Sequence, residues 1–418
     1  MSGAGGDGNL TRRSLFTASA AVASTIGLSR PAAVLAAGAS DTIPFYGPHQ
    51  AGIVGEQQTH TYMAAFDVVA TKRDDLVDLL KTWTAAAARL TSGRPIQAVT
   101  SGYDASVELP DSGETVGLSP SRLTLTFGFG PDLFEKDGDD RFGLSSRRPE
   151  ALVALPVFVG DKMIPEKTGG ELSVQACADS PQVAFHAVRQ LARLGVGAAQ
   201  LRWVQAGFLA PPEGNGTPRN LMGFKDGTQR PTDMARFVWA GTEVPQWLQG
   251  GSYMVARRIR IAVEHWDQMK IAFQEQTFGR QKASGAPIGA QHEFDALPLK
   301  ATDKDGNPVI AENAHVRLAN DSTNNGIQIL RRGYSYDDGV DFTTERWPPW
   351  RQGMEYDAGL LFVCYQRDPR TGFIPMFEKL SRFDMLNQFV THTGGGIFAC
   401  PGGIAQDEYL GQRLVETA

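Results

Sequence analysis

The order in which strand-like and helix-like segments follow one another restricts this chain more than any other feature. Residues 62–70 (YMAAFDVVA) have the apolar content of a strand, and leucines and alanines at helical spacing follow over 74–90. Residues 122–130 (RLTLTFGFG) alternate with the period of two that a strand requires. A further strand is predicted over 171–178 (ELSVQACA), after which Asp179-Ser180-Pro181 cap a helix running to about Leu194. Residues 200–209 read as a fourth strand. This β-α-β, β-α-β order is the signature of a ferredoxin-like split unit. A second set follows: strand 252–263, helix 264–274, strands 326–331 and 359–366, helix 379–390 and strand 396–399. The expected fold class is therefore α+β, two ferredoxin-like halves related by duplication. A doubly wound sheet fits less well, because no strand leads into a GxGxxG helix.

The chain divides at two places. Thr11-Arg12-Arg13-Ser14-Leu15-Phe16 precede a small-residue apolar run over 17–28, and Ala37-Gly38-Ala39 offer a cleavage site. That three-part layout with adjacent arginines reads as a twin-arginine export signal over 1–39. The expected destination is the periplasm or the medium, and the twin-arginine translocase is a partner during export. Proteins on that route cross folded, which raises the prospect of an inserted prosthetic group. The Gly/Pro/Asn-rich stretch 211–219 marks the second boundary, giving expected domains of 40–215 and 216–418. No later segment is apolar for the ~18 residues that a membrane helix needs, so no span is expected in the mature chain. Residues 285–313 read as a long surface loop.

Composition removes several function classes. A formal charge of −6 argues against a general nucleic-acid binder. Cys177, Cys364 and Cys400 show no spacing for a disulfide framework or a zinc knuckle, and read as buried thiols. HExxH, CxxC, G-x-S-x-G and Walker patterns are absent from the sequence, and the seven histidines are scattered. Asp303-Lys304-Asp305-Gly306-Asn307 echo a calcium loop without its distal glutamate, and read as a hydrophilic turn.

Three segments carry chemistry together. Gly223-Phe224-Lys225-Asp226-Gly227-Thr228 can press a carboxylate close to a ligand plane, although alone it reads as a turn. His315 opens the run HVRLAN, and a lone histidine is more often structural. The run ILRRGY places Arg331 and Arg332 on opposite strand faces, so one must point inward and needs a polar partner. An inward arginine, an aspartate and an available histidine form the inventory of a haem peroxidase.

With these residues in view, the chain resembles the dye-decolourising (DyP-type) haem peroxidases, over nearly its whole mature length. It is most similar to the exported subgroup that includes the deferrochelatase/peroxidase of bacterial iron-uptake operons. The resemblance rests on PFYGPHQAGI, RLTLTFGFG, DRFGL, ELSVQACADSPQVAFHAVRQL, GFKDGT, GGSYMVARRIRI, TFGRQKASGAP, HVRLAN, LRRGYSY and GLLFVCYQRDPRTGF, in that order. It implies Asp226 as the distal acid/base, Arg331 as the distal arginine and His315 as the proximal iron ligand. It also implies Arg280 beside a haem propionate, with Gly279 and Thr228 as cofactor-binding positions and Leu360 and Phe362 as an apolar distal wall.

One haem b per chain is the implied cofactor, with hydrogen peroxide and a dye, phenolic or other one-electron donor as substrates. A homo-oligomer is left open. Tyr334, Tyr336, Trp347 and Trp350 are candidate surface sites for bulky donors, against ordinary packing roles. Two departures stand out: Arg230 where relatives often carry Asn, and Asp321 where they usually carry Pro. Arg230 is expected to act on Asp226 or on a distal water. The alternative reading is a deferrochelatase-like haem-handling protein with little turnover. Chlorite dismutation on a related fold suits the GxxDG aspartate less well.

Overall fold

Nearly every side chain between His60 and Val68 is buried or half-buried, so β1 (His60–Val68) forms a central strand. In α1 (Arg73–Thr91), Leu76, Leu79, Leu80, Trp83, Ala87 and Leu90 recur at helical spacing and make its buried face. β2 (Thr124–Phe129), β3 (Leu172–Ala178), α2 (Pro181–Leu194) and β4 (Ala199–Phe208) complete the first unit. The Ser180 hydroxyl accepts the Val183 N–H, and Pro181 occupies the first turn of α2, where its missing N–H costs nothing. β1 pairs antiparallel with β3 and β4, and β3 with β2, which gives the order β4-β1-β3-β2. This computed structural model describes residues 41–97, 111–211, 214, 216–344 and 352–416. The export segment, Trp347 and Trp350 lie outside the described residues.

After the short α3 (Met234–Phe237), the second unit repeats the plan. Its elements are β5 (Ser252–Ile261), α4 (Val263–Asp267), α5 (Ile271–Phe278), α6 (His315–Ala319), β6 (Leu330–Arg331), β7 (Tyr334–Thr344), β8 (Gln352–Gln366), α7 (Phe373–Phe383) and β9 (Val390–Cys400), and α8 (Gln412–Val415) follows. β5 pairs with β8 and β9, and β8 with β7. The order β9-β5-β8-β7 is the permutation seen in the first unit, as duplication requires. Single pairings, Phe129 with Ala399 and Phe208 with Ser335, join the two sheets at both edges and close a barrel. Its interior is packed by Met63, Ala65, Met254, Leu361, Val363 and Phe398 from both sheets. All three cysteines are free and buried.

Several boundaries differ from the sequence expectations. The helix expected over 264–274 is two short helices, α4 and α5, separated at 268–270. The helix expected over 379–390 begins earlier and ends at Phe383. Asp384 stops it by accepting the Leu386 N–H and starting a 3-10 turn. The strand expected over 326–331 is only Leu330–Arg331, and β7 was not anticipated. No helix or strand interrupts residues 279–314, in line with a long loop.

Candidate active site

Alternation along β8 turns Leu361 and Val363 into the barrel and Leu360 and Phe362 the other way. The outward face of the second sheet borders a cavity of about 270 Å³. Ile259 and Ile261 of β5, and Met376 and Leu380 of α7, extend its apolar wall.

Asp226 reaches this cavity on a tightly anchored loop. Its N–H donates to Pro218 O, and Gly227 follows at φ +108°, a conformation closed to ordinary side chains. Phe224 stacks on Phe278 of α5 with centroids 4.0 Å apart, and Lys225 pairs with Glu293 of the long loop. Arg331 comes from β6, which is registered against Cys364 of β8. Its Nη1 donates to Asp226 Oδ1 at 2.8 Å, and about 30% of each side chain stays open to the cavity. An acceptor and a fixed cation are thereby held together. The neighbouring Arg332, at 0% exposure, is the more deeply buried of the two. It points into the scaffold, donating to Gly55 O and Gln58 Oε1.

His315 is the first residue of α6 and lines the same cavity. Its Nδ1 is 2.6 Å from Asp384 Oδ2, and Asp384 is itself buried. Burial disfavours the imidazolium, yet the Asp384 carboxylate more than offsets this, with Asp226 adding and Arg331 opposing. The net result is a raised His315 pKa. Asp384 was missed from sequence. The signal for it was the capping aspartate inside the expected 379–390 helix.

The other expected residues separate cleanly. Arg280 and Thr228 line the cavity with Leu360 and Phe362. Arg280 Nη1 donates to the Gly285 and Glu293 carbonyls at 2.7 and 2.9 Å. Burial lowers its pKa, which Glu293 opposes and Arg331 reinforces. Gly279 is not on the wall. It ends α5 in the left-handed conformation, φ +81°, where a Cβ would stand 2.6 Å from Val316 Cγ2. Its missing side chain lets the end of α5 seat against α6, which carries His315.

Arg230 lies on the wall and is exposed, but forms no ion pair among the described residues; Asp226 is paired with Arg331 instead. Tyr334 and Tyr336, at 1% and 0% exposure, are barrel residues and not surface sites.

Residues 50–209 match the family described as Dyp-type peroxidase, N-terminal, and residues 217–405 match Dyp-type peroxidase, C-terminal. The chain belongs to the Dyp-type peroxidase family. Among its relatives, the dye-decolorizing peroxidase of Thermobifida fusca is 37% identical over 387 residues, covering 88% of this chain and 84% of the relative. The deferrochelatase of Escherichia coli is 38% identical over 389 residues, covering 89% and 87%. The solved oxyferrous/water mixed complex of DtpA from Streptomyces lividans superposes with a TM-score of 0.81 at 38% identity, covering 90% of this chain and 98% of that one. The duplicated barrel described above is thus the Dyp-type peroxidase fold.

Proposed function

We propose that this Dyp-type peroxidase binds haem b, one per chain, and uses hydrogen peroxide to oxidise dyes, phenolics or other one-electron donors. One observation carries the reading: an Asp226–Arg331 pair and an Asp384-held His315 on the wall of a single cavity. The residues present fit such a group. His315 Nδ1 is committed to Asp384, while Nε2 has no partner among the described residues and 30% of the side chain is open. The apolar walls suit a porphyrin face, and Arg280 suits a propionate.

Bound haem would supply the redox-active iron for peroxide reduction. His315 Nε2 would hold the iron. Asp384 fixes the imidazole tautomer and orientation and strengthens its donor character. Asp226 accepts a proton from one peroxide oxygen and delivers it to the other, so that water is the leaving group. Arg331 is a preset positive charge beside the developing negative one. Leu360 and Phe362 keep that region apolar. The same reading includes twin-arginine export of the folded chain to the periplasm or beyond, and a division into 1–39, 40–215 and 216–418.

Purified protein is expected to show a Soret band, and His315→Ala to lose haem or its axial ligation; an unchanged spectrum in that variant removes His315 from the site. The similarity to a deferrochelatase, as strong as that to a peroxidase, supports a second reading in which iron is taken from haem. Donor oxidation measured beside iron release from bound haem separates the two.

A further inference from the structure

The loop that delivers Asp226 to the cavity is a small hairpin. Arg219 bridges to Lys225, the Asn220 N–H donates to Phe224 O, and the Asp226 N–H donates to Pro218 O. Residues 227–231, which follow, belong to no helix or strand. The place of Asp226 is therefore set by the hairpin that precedes it, while Arg331 holds the tip of the carboxylate.

Glu293, from the long loop, closes the base of that hairpin across both of its arms. On one arm its Oε1 accepts the Thr217 N–H at 2.9 Å and the Thr217 hydroxyl at 2.5 Å. On the other its Oε2 accepts from Lys225 Nζ. Thr217 precedes the residue whose carbonyl receives the Asp226 N–H, and Lys225 precedes Asp226 itself. One carboxylate thus grips the chain on either side of the hydrogen bond that fixes Asp226. Burial opposes the Glu293 charge, but its bonds to Lys225 and Thr217 outweigh this and hold its pKa below the ordinary range. Its backbone is placed in turn by the cavity wall, since Arg280 Nη1 donates to its carbonyl at 2.9 Å.

The rest of the hairpin has separate anchors. Arg219 donates to the Lys282 and Ala283 carbonyls, and Phe224 stacks on Phe278. Loss of the Glu293 carboxylate therefore loosens the base of the hairpin, where Asp226 leaves it, without releasing the whole loop. It also leaves a half-buried ammonium without its counter-charge.

We propose that Glu293 is a positioning residue for Asp226, holding that carboxylate at the reach that proton transfer needs. Glu293 does not itself line the cavity, so it acts only through Thr217 and Lys225. Such placement matters, because a shift of about 1 Å in a reacting group can cost about 10²-fold in rate.

The inference rests on the reading of Asp226 as the acid/base of a haem peroxidase. Hydrogen–deuterium exchange on the full chain tests the hold directly. Residues 217–228 are expected to be protected in the parent and to lose protection in Glu293→Ala, with β1 and β3 unchanged. Stopped-flow mixing of haem-loaded protein with hydrogen peroxide tests its use. Glu293→Ala is expected to react about 10–10²-fold more slowly with its Soret band kept. In an Asp226→Asn background the same change is expected to alter the rate by no more than about twofold, because no acid/base remains to be positioned. Should Glu293→Ala not fold, Glu293→Gln keeps an acceptor for Thr217 but no charge for Lys225, and carries the same readouts with a smaller loss of rate. Unchanged exchange over 217–228, a parental rate with peroxide, or a loss that adds in full to that of Asp226→Asn overturns the proposal. A parent with no Soret band or no reaction with peroxide overturns the peroxidase reading instead, and the exchange measurement still decides whether Glu293 holds the loop.

Discussion

The two halves of the barrel share a strand permutation and differ in what lies on their outer faces. The first sheet is covered by α1 and α2, 19 and 14 residues long, which seal it with Leu80, Trp83 and Leu191. At 1.5 Å per residue, α1 alone covers about 28 Å. The second sheet is covered by helices of five, eight, five and eleven residues and by a long loop. Short pieces cannot seal a sheet, and a cavity remains where the first half has a core. The lesson is that one scaffold serves both as a stable body and as a site, depending on how completely its outer face is covered.

Substitutions can test this division of labour. On the open side, Asp226→Asn and Arg331→Ala are expected to slow the reaction with peroxide by about 10²–10⁴-fold while haem and melting temperature are kept. Stopped-flow spectroscopy on haem-loaded variants measures this, and a normal rate in either variant removes that residue from the proposed chemistry. On the sealed side, Trp83→Ala is expected to cost about 3–5 kcal/mol of stability, read by denaturant unfolding. Its folded fraction should react with peroxide at the parental rate. A Trp83 variant as slow as Asp226→Asn would show that the halves are not separable.

The smallest expected effect concerns His392, buried on the cavity wall beside Arg257, whose Nε is 3.4 Å from His392 Nδ1. Burial, reinforced by the Arg257 charge, holds its pKa well below the usual value of 6.5. The folded state therefore prefers the neutral ring. That stability is fully present above about pH 6.5 and is lost as pH falls below it, by at most about 1.4 kcal/mol per pH unit. His392→Gln should flatten the acid limb of the stability profile. An equally steep limb in the variant would assign the acid sensitivity to other groups.

Much of the fold was legible because strand alternation and helix periodicity are local. RLTLTFGFG and ELSVQACA declared their strands, and Ser180-Pro181 declared the start of a helix. Errors gathered in the second half, where elements are short and the site lies. Asp384 shows why: its carboxylate ends α7, caps the next turn and holds His315, and no periodicity encodes three such tasks. Gly279 shows the opposite case, since its motif position suggested cofactor contact while the close approach of Val316 shows a helix-packing role.

By itself, the sequence determined the duplicated α+β plan and named Asp226, His315 and Arg331, because alternation, capping and motif order are written along the chain. Tertiary structure alone decided that two sheets close through single pairings at each seam, that Asp384 lies behind His315, and that Tyr336 lies inside and not outside. Those relations join residues far apart in the chain, such as His315 and Asp384 or Phe208 and Ser335. Only packing of both sheets around one interior fixes which side of a strand faces solvent, core or cavity.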